Sequence, residues 1–286
     1  MQGGDEVDNG LIVPPGEMVS AGGTRFHVRR FGSSSERTFI LEAGLTMFSS
    51  CWAWIAPELA KLGMVIAYDR AGLGWSEERH GLRDAKQIAE ELTGLSAALN
   101  VSEKKVLVGH SMGSFFNRAV LKQNPGFANA VVWLDPTHPR QLAHSRRMQR
   151  LFFYLEAANR LAAGDLPTVT LSLISHLEGL PPQEFQAVKT FLESARHLKA
   201  TAREARAWKM SAEYIHDTSL GDIPLLVISA QKNALRRWGE YQKELAAVSN
   251  RAEHVTFTEM SHLSMLSNRE QALKVSEKIA QFAAKI

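Results

Sequence analysis

The segment Val106-Leu107-Val108-Gly109-His110-Ser111-Met112-Gly113-Ser114 decides how this chain is read. A short apolar run, Lys105 to Val108, has the length and character of a buried strand. A helical pattern follows from Met112 to Gln123 and stops at Asn124-Pro125-Gly126. Between the two lies G-x-S-x-G, with glycines two residues before and two after Ser111. A serine on so sharp a strand-to-helix turn lifts its hydroxyl above a sheet. The flanking glycines remove side chains that would collide with the neighbouring strand and helix. The helix start also offers free N–H groups to developing negative charge. Ser111 is therefore the candidate nucleophile.

Working outward, strand text alternates with helix text. A hairpin is expected from Glu17 to Ser20 and Thr24 to Phe31 around Ala21-Gly22-Gly23. Apolar runs follow at Thr38 to Glu42, Met64 to Tyr68 and Ala130 to Leu134, and later at Pro224 to Ser229 and Val255 to Thr258. Helical spacing appears over Trp52 to Leu62, Arg83 to Leu99, Arg236 to Val248 and Asn268 to Lys285. Short, uniformly apolar strands separated by helices predict a doubly wound α/β fold with a mostly parallel sheet of eight strands, covered on both faces. From about Pro139 to His216 the text is almost wholly helical, apart from an ambiguous stretch at Thr168 to Ile174. A block of roughly eighty residues is too long for a connection. It predicts a helical cap inserted after the sixth strand, with residues 137–222 as the cap and 1–136 and 223–286 as the core.

Three further segments carry a resemblance to the α/β-hydrolase fold family, which runs from about Glu17 to the C-terminus. Ile40-Leu41-Glu42-Ala43-Gly44-Leu45 is similar to the family's His-Gly oxyanion segment, with Ala43 in place of the histidine. Tyr68-Asp69-Arg70-Ala71-Gly72-Leu73-Gly74-Trp75-Ser76 resembles its D-x-x-G-x-G-x-S turn, and Met260-Ser261-His262 falls where the family places its histidine. The resemblance implies that the backbone N–H groups of Leu45 and Met112 form the oxyanion hole.

His262 follows the last strand, in the chain order serine, acid, histidine that this fold uses. His27, His80, His144, His176, His197, His216 and His254 lie on strands, loops or cap helices away from the sheet's carboxyl edge; His110 points elsewhere on the turn, and His138 is placed to line a pocket. The acid is a choice between two positions. After the strand that follows the cap, the resemblance implies an aspartate where this chain has Asn233. An amide can orient an imidazole but cannot stabilise imidazolium. Asp135, in Trp133-Leu134-Asp135-Pro136, stands at the end of the strand before the cap, where pancreatic-type lipases and some dehalogenases of this fold carry their acid. Asp135 is the first choice; Asn233 is the alternative triad member.

Composition narrows the classes. The 286 residues are 45% hydrophobic and 22% charged, with a formal net charge of +3, which is ordinary for a globular protein and lacks a dense basic footprint for nucleic acid. One cysteine, Cys51, excludes an internal disulfide, and the acidic, polar start lacks a secretory signal's pattern, so a cytoplasmic protein without a membrane span is expected. No metal-ligand spacing of the zinc type and no dinucleotide glycine fingerprint occurs, so no metal or cofactor is expected. Cap residues such as Phe152, Phe153, Leu155, Leu161, Leu171, Leu173, Phe185, Phe191, Trp208 and Met210 suit a small to medium hydrophobic ester as substrate. The function expected is a serine carboxylesterase acting through an acyl-Ser111 intermediate. A lactonase, a C–C bond hydrolase, a cofactor-free haloperoxidase and a ligand-binding protein with a relict triad stay open beside it.

Overall fold

The computed structural model describes residues 14–33, 36–141, 146, 149–150, 173–232, 234 and 237–286. Its strands are β1 (Glu17–Ala21), β2 (Thr24–Phe31), β3 (Thr38–Glu42), β4 (Met64–Tyr68), β5 (Lys105–His110), β6 (Ala130–Leu134), β7 (Leu225–Ala230) and β8 (Ala252–Phe257). They form one sheet in the order β1-β2-β4-β3-β5-β6-β7-β8. The first two pairings are antiparallel and every later one is parallel. The helices among the described residues are α1 (Ala56–Leu59), α2 (Ala85–Ala98), α3 (Gly113–Gln123), α4 (Pro182–Leu192), α5 (Ala195–Arg206), α6 (Trp208–Ile215), α7 (Trp238–Ala246), α8 (Ser264–Ser267) and α9 (Arg269–Ala283). The eight-stranded, mostly parallel sheet flanked by helices is the one expected.

Strand pleating divides the core. Phe39, Leu41, Val106, Val108, Val132 and Ile228 face α1 and α9, while Ile40, Leu107, Val131, Trp133 and Val227 face α2, α3, α6 and α7. β3, β6 and β7 are buried along their whole length, which is why they read as unbroken apolar text. β8 alternates half-buried and exposed residues, as an edge strand does.

The helix expected over Trp52 to Leu62 is instead a 3₁₀ turn at Ser49–Trp52 and a single turn, α1. Pro57 is the cause. Inside a longer helix it would remove a hydrogen bond and press its ring on the preceding turn, so it stands at the start of α1. Of the ambiguous stretch, residues 168–172 lie outside the described residues; Leu173 and Ile174 are helical. Among the named cap residues, Phe152, Phe153, Leu155, Leu161 and Leu171 also lie outside them. Phe185 and Phe191 pack on the α1 face, and Phe191 meets Phe48 edge-on with ring centroids 5.1 Å apart. Trp208 lies on the opposite face against Phe115 at 5.0 Å, and Met210 is exposed. Among the described residues no helix is long and apolar enough to cross a membrane.

One helix of the insertion is bound to the sheet edge by buried polar groups. Arg70 donates from Nε and Nη2 to the two carboxylate oxygens of Glu204 on α5, both at 2.8 Å. Its Nη1 donates to Glu42 Oε1 at 2.8 Å and to the Ala43 carbonyl at 2.7 Å, and Nη2 reaches the Gly44 carbonyl at 2.9 Å. The Tyr68 hydroxyl donates to the other Glu42 oxygen, and the Phe116 ring covers the guanidinium at 4.8 Å. Farther along α5, His197 donates from Nε2 to the Thr46 carbonyl at 2.8 Å and accepts the Gly74 N–H on Nδ1 at 3.1 Å. Ala200 fills the space over Gly72: a Cβ on that glycine, whose φ is +84°, would stand 2.7 Å from the alanine methyl. Both the Ala43–Thr46 loop and the Arg70–Gly74 turn are thus fixed to one face of α5.

Removing one partner of a buried ion pair strands the other charge. Glu204→Leu is expected to lower the unfolding free energy by about 3–5 kcal/mol, read from urea denaturation. His197 adds a pH dependence. Burial pulls its pKa down from 6.5 to about 4, and its two hydrogen bonds need the neutral ring. Its contribution is present above the unfolded value and is lost as pH falls from about 6.5 through about 4, amounting to about 3 kcal/mol at most. Thermal melts over that interval should show His197→Asn losing less stability with acid than the unsubstituted protein.

Candidate active site

Ser111 closes β5 in the left-handed region, with φ 54°. For a residue other than glycine this costs about 1–3 kcal/mol and persists only where the surroundings enforce it. The Ser111 N–H donates to the Leu134 carbonyl at 2.9 Å. The Ser111 carbonyl accepts from Ser114 N at 3.2 Å, Ser114 Oγ at 2.8 Å and Thr137 N at 3.1 Å. The glycines around it have no room for side chains. A Cβ on Gly109 would stand 2.6 Å from Asn117 Nδ2, and one on Gly113 would collide with the Glu42 carbonyl. The turn inferred from G-x-S-x-G is thus present, with α3 beginning at Gly113.

Asp135 ends the neighbouring strand β6 and is also left-handed, with φ 43°. Its N–H donates to the Ile228 carbonyl of β7 at 2.6 Å. Oδ1 accepts from Ala230 N and Trp238 Nε1, each at 2.9 Å, leaving Oδ2 aimed at the loop after β8. There His262 Nδ1 lies 2.6 Å from Asp135 Oδ2, and His262 Nε2 lies 2.9 Å from Ser111 Oγ. The carboxylate accepts, so the proton of the neutral ring sits on Nδ1 and Nε2 is the acceptor. Asp135 is buried, whereas the His262 side chain is 41% exposed, so solvent reaches the imidazole. Serine, histidine and aspartate, from positions 111, 262 and 135, form one continuous chain of hydrogen bonds. Asn233 lies outside the described residues.

The two expected oxyanion donors flank the serine. Met112 follows it directly, and the Gly44–Leu45 segment passes close by: a Cβ on Gly44 would stand 3.1 Å from Ser111 Cβ and 3.0 Å from His110 Nδ1. Among the described residues neither the Leu45 nor the Met112 N–H has an acceptor. Arg70, holding the Ala43 and Gly44 carbonyls from behind, orients the peptides that precede Leu45.

Three side chains near the serine escaped the sequence reading. His110 does not point away from the site: its Nε2 donates to the His262 carbonyl at 2.9 Å and the two rings lie 4.6 Å apart. Burial, helped by the nearby His262, pulls the His110 pKa well down, so it is a neutral donor. His197, expected from the sequence to lie away from the carboxyl edge, instead holds the Thr46 carbonyl beside Leu45. Thr137 places its hydroxyl 3.2 Å from Ser111 Oγ. His138, by contrast, is stacked on Tyr241 at 4.4 Å, with Nε2 3.1 Å from Glu244. Cys51 is buried and unpaired by any disulfide, its thiol made a weaker acid by burial. Among the described residues no group of three or more His, Cys, Asp and Glu is placed to hold a metal ion.

Comparison with known proteins bears on the fold and the family. The chain is 23% identical over 245 residues to the uncharacterized protein YqjL of Bacillus subtilis (strain 168), covering 84% of this chain and 82% of that one. In structure it is similar to a thermophilic esterase from Thermogutta terrifontis, with a TM-score of 0.73 and 19% identity, covering 94% of this chain and 98% of that one. It is equally similar to the enol-lactonase from Burkholderia xenovorans LB400, with a TM-score of 0.73 and 20% identity, covering 94% of this chain and all of the other. The family model described as the alpha/beta hydrolase family matches residues 39–275, and the chain belongs to that family.

Proposed function

We propose that this chain is a serine hydrolase that cleaves carboxylic esters carrying small to medium hydrophobic groups. The observation that carries the reading is the 2.9 Å contact between Ser111 Oγ and His262 Nε2, with Nδ1 held by Asp135. In this reading His262 takes the Ser111 proton as Oγ attacks the ester carbonyl carbon. The carbonyl π pair moves onto oxygen, where the Leu45 and Met112 N–H groups receive the charge. As that pair returns, the bond to the alcohol breaks and His262 protonates the departing alkoxide, leaving an acyl-Ser111 ester. Water, deprotonated by His262, then releases the acid by the same steps. Asp135 keeps the ring oriented and stabilises the imidazolium formed twice in each cycle. A carboxylate in contact with Nδ1 favours a working enzyme over a binding protein with a relict triad.

Residues 137–222 would serve as a cap over the serine, with residues 1–136 and 223–286 as the core. The likeness to an enol-lactonase favours a second reading, in which a lactone is the substrate and the leaving alkoxide stays tethered to the acyl group. The steps and residues are the same. No metal or cofactor is required, and the partner is a small molecule.

A fluorophosphonate probe should label the protein, and Ser111→Ala should abolish labelling. On a short-chain aryl ester, Asp135→Asn is expected to lower kcat by about 10⁴-fold, because an amide allows the wrong tautomer and leaves the imidazolium unpaired. Asn233→Ala is expected to change it little. The reverse ranking would remove Asp135 from the triad, and absence of labelling would remove the hydrolase reading altogether. Relative kcat/KM on aryl esters and lactones decides between the two substrates.

A further inference from the structure

Thr137 touches the reacting oxygen. It is buried, 3% exposed, and follows Asp135-Pro136, so the strand end that supplies the acid also supplies this threonine. Its N–H donates to the Ser111 carbonyl at 3.1 Å, and its Oγ1 lies 3.2 Å from Ser111 Oγ. Among the described residues the Thr137 hydroxyl has no other partner.

The protons around Ser111 set the direction of that contact. Asp135 Oδ2 accepts from His262 Nδ1, so Nε2 carries a lone pair and the Ser111 hydroxyl donates to it. Ser111 has only that one proton. The hydrogen bond between the two hydroxyls therefore runs from Thr137 to Ser111. One lone pair of Ser111 Oγ accepts it, and the second is left for the substrate.

We propose that Thr137 is a catalytic residue whose hydroxyl donates to Ser111 Oγ and stabilises the charge that gathers there during attack and expulsion. This role rests on the serine-hydrolase reading above. In acylation the Ser111 O–H bond breaks, the proton goes to His262 Nε2, and an Oγ lone pair bonds the carbonyl carbon. In deacylation the bond from that carbon to Oγ breaks, the pair returns to Oγ, and Nε2 returns the proton. In both transition states Oγ holds more negative charge than in the hydroxyl or the ester. A donor already in place is strengthened at those moments and needs no reorganisation. The effect expected is about tenfold in rate.

Thr137→Val keeps the shape and the backbone N–H and removes only the donor; Thr137→Ser keeps the donor. Both are measured against the unsubstituted protein for the second-order rate of fluorophosphonate labelling and for kcat/KM on 4-nitrophenyl acetate, with circular dichroism melts alongside. Thr137→Val is expected to slow both reactions about tenfold, and Thr137→Ser to recover them to within about threefold. If Thr137→Val does not fold, Thr137→Ala takes its place in the same comparison. Rates for the donor-free variant within threefold of the unsubstituted protein, or an equal loss in Thr137→Ser, overturn the role of Thr137 while the hydrolase reading stands. An unsubstituted protein that neither labels nor turns over the ester overturns both.

Discussion

Two neighbouring strands of the sheet each end in a residue forced into left-handed backbone, and the site depends on that pair. Ser111 and Asp135 both carry positive φ at the carboxyl ends of β5 and β6. Neither is glycine, so each conformation is costly in isolation. The sheet supplies the compensation. The ladder continues past the strand ends, with Ser111 N–H on the Leu134 carbonyl and Asp135 N–H on the Ile228 carbonyl, and Thr137 N–H returns to the Ser111 carbonyl. The parallel register fixes how far apart the two side chains emerge, and the β8 loop then has only to bring His262 between them.

Behind this edge the dominant feature is a charge taken fully out of water. Arg70 satisfies its donors with Glu42, Glu204 and the Ala43 and Gly44 carbonyls. Desolvating so many charges consumes most of the Coulombic gain, so such a cluster contributes less to net stability than its contacts suggest. What it confers is position. The guanidinium is planar and its N–H directions are rigid, so carbonyls bound to it have little freedom to rotate. The loop carrying Leu45 takes its orientation from that plane.

The fold was readable because buried parallel strands leave an unambiguous mark: short apolar runs between helical spacings. Local chemistry misled where one residue outweighed the pattern. Pro57 cut the helix read over Trp52 to Leu62, although the apolar spacing there is helical. Motif and chain order single out Ser111 and His262, two side chains that the fold brings to 2.9 Å from one another. For the acid, the sequence offered Asp135, its first choice, and Asn233, and residue type and position alone do not decide between them; Asp135 Oδ2 stands 2.6 Å from the ring, and Asn233 lies outside the described residues. His110, Thr137 and His197 were beyond sequence reading for a common reason. Their partners are backbone groups or a hydroxyl, the two histidines' more than a hundred positions away, and no residue pattern marks a backbone group as a partner. The Arg70–Glu204 pair, 134 positions apart, was hidden in the same way.

The attachment of α5 bears on how such proteins can be recombined. Residues between β6 and β7 look like a separable unit in the sequence, and exchanging that unit between relatives is an obvious route to new specificity. A transplant cut at those borders would carry away Glu204, His197 and Ala200 and leave Arg70, Thr46 and Gly72 facing foreign side chains. A workable graft must keep α5 with the recipient's sheet and replace only what lies beyond it.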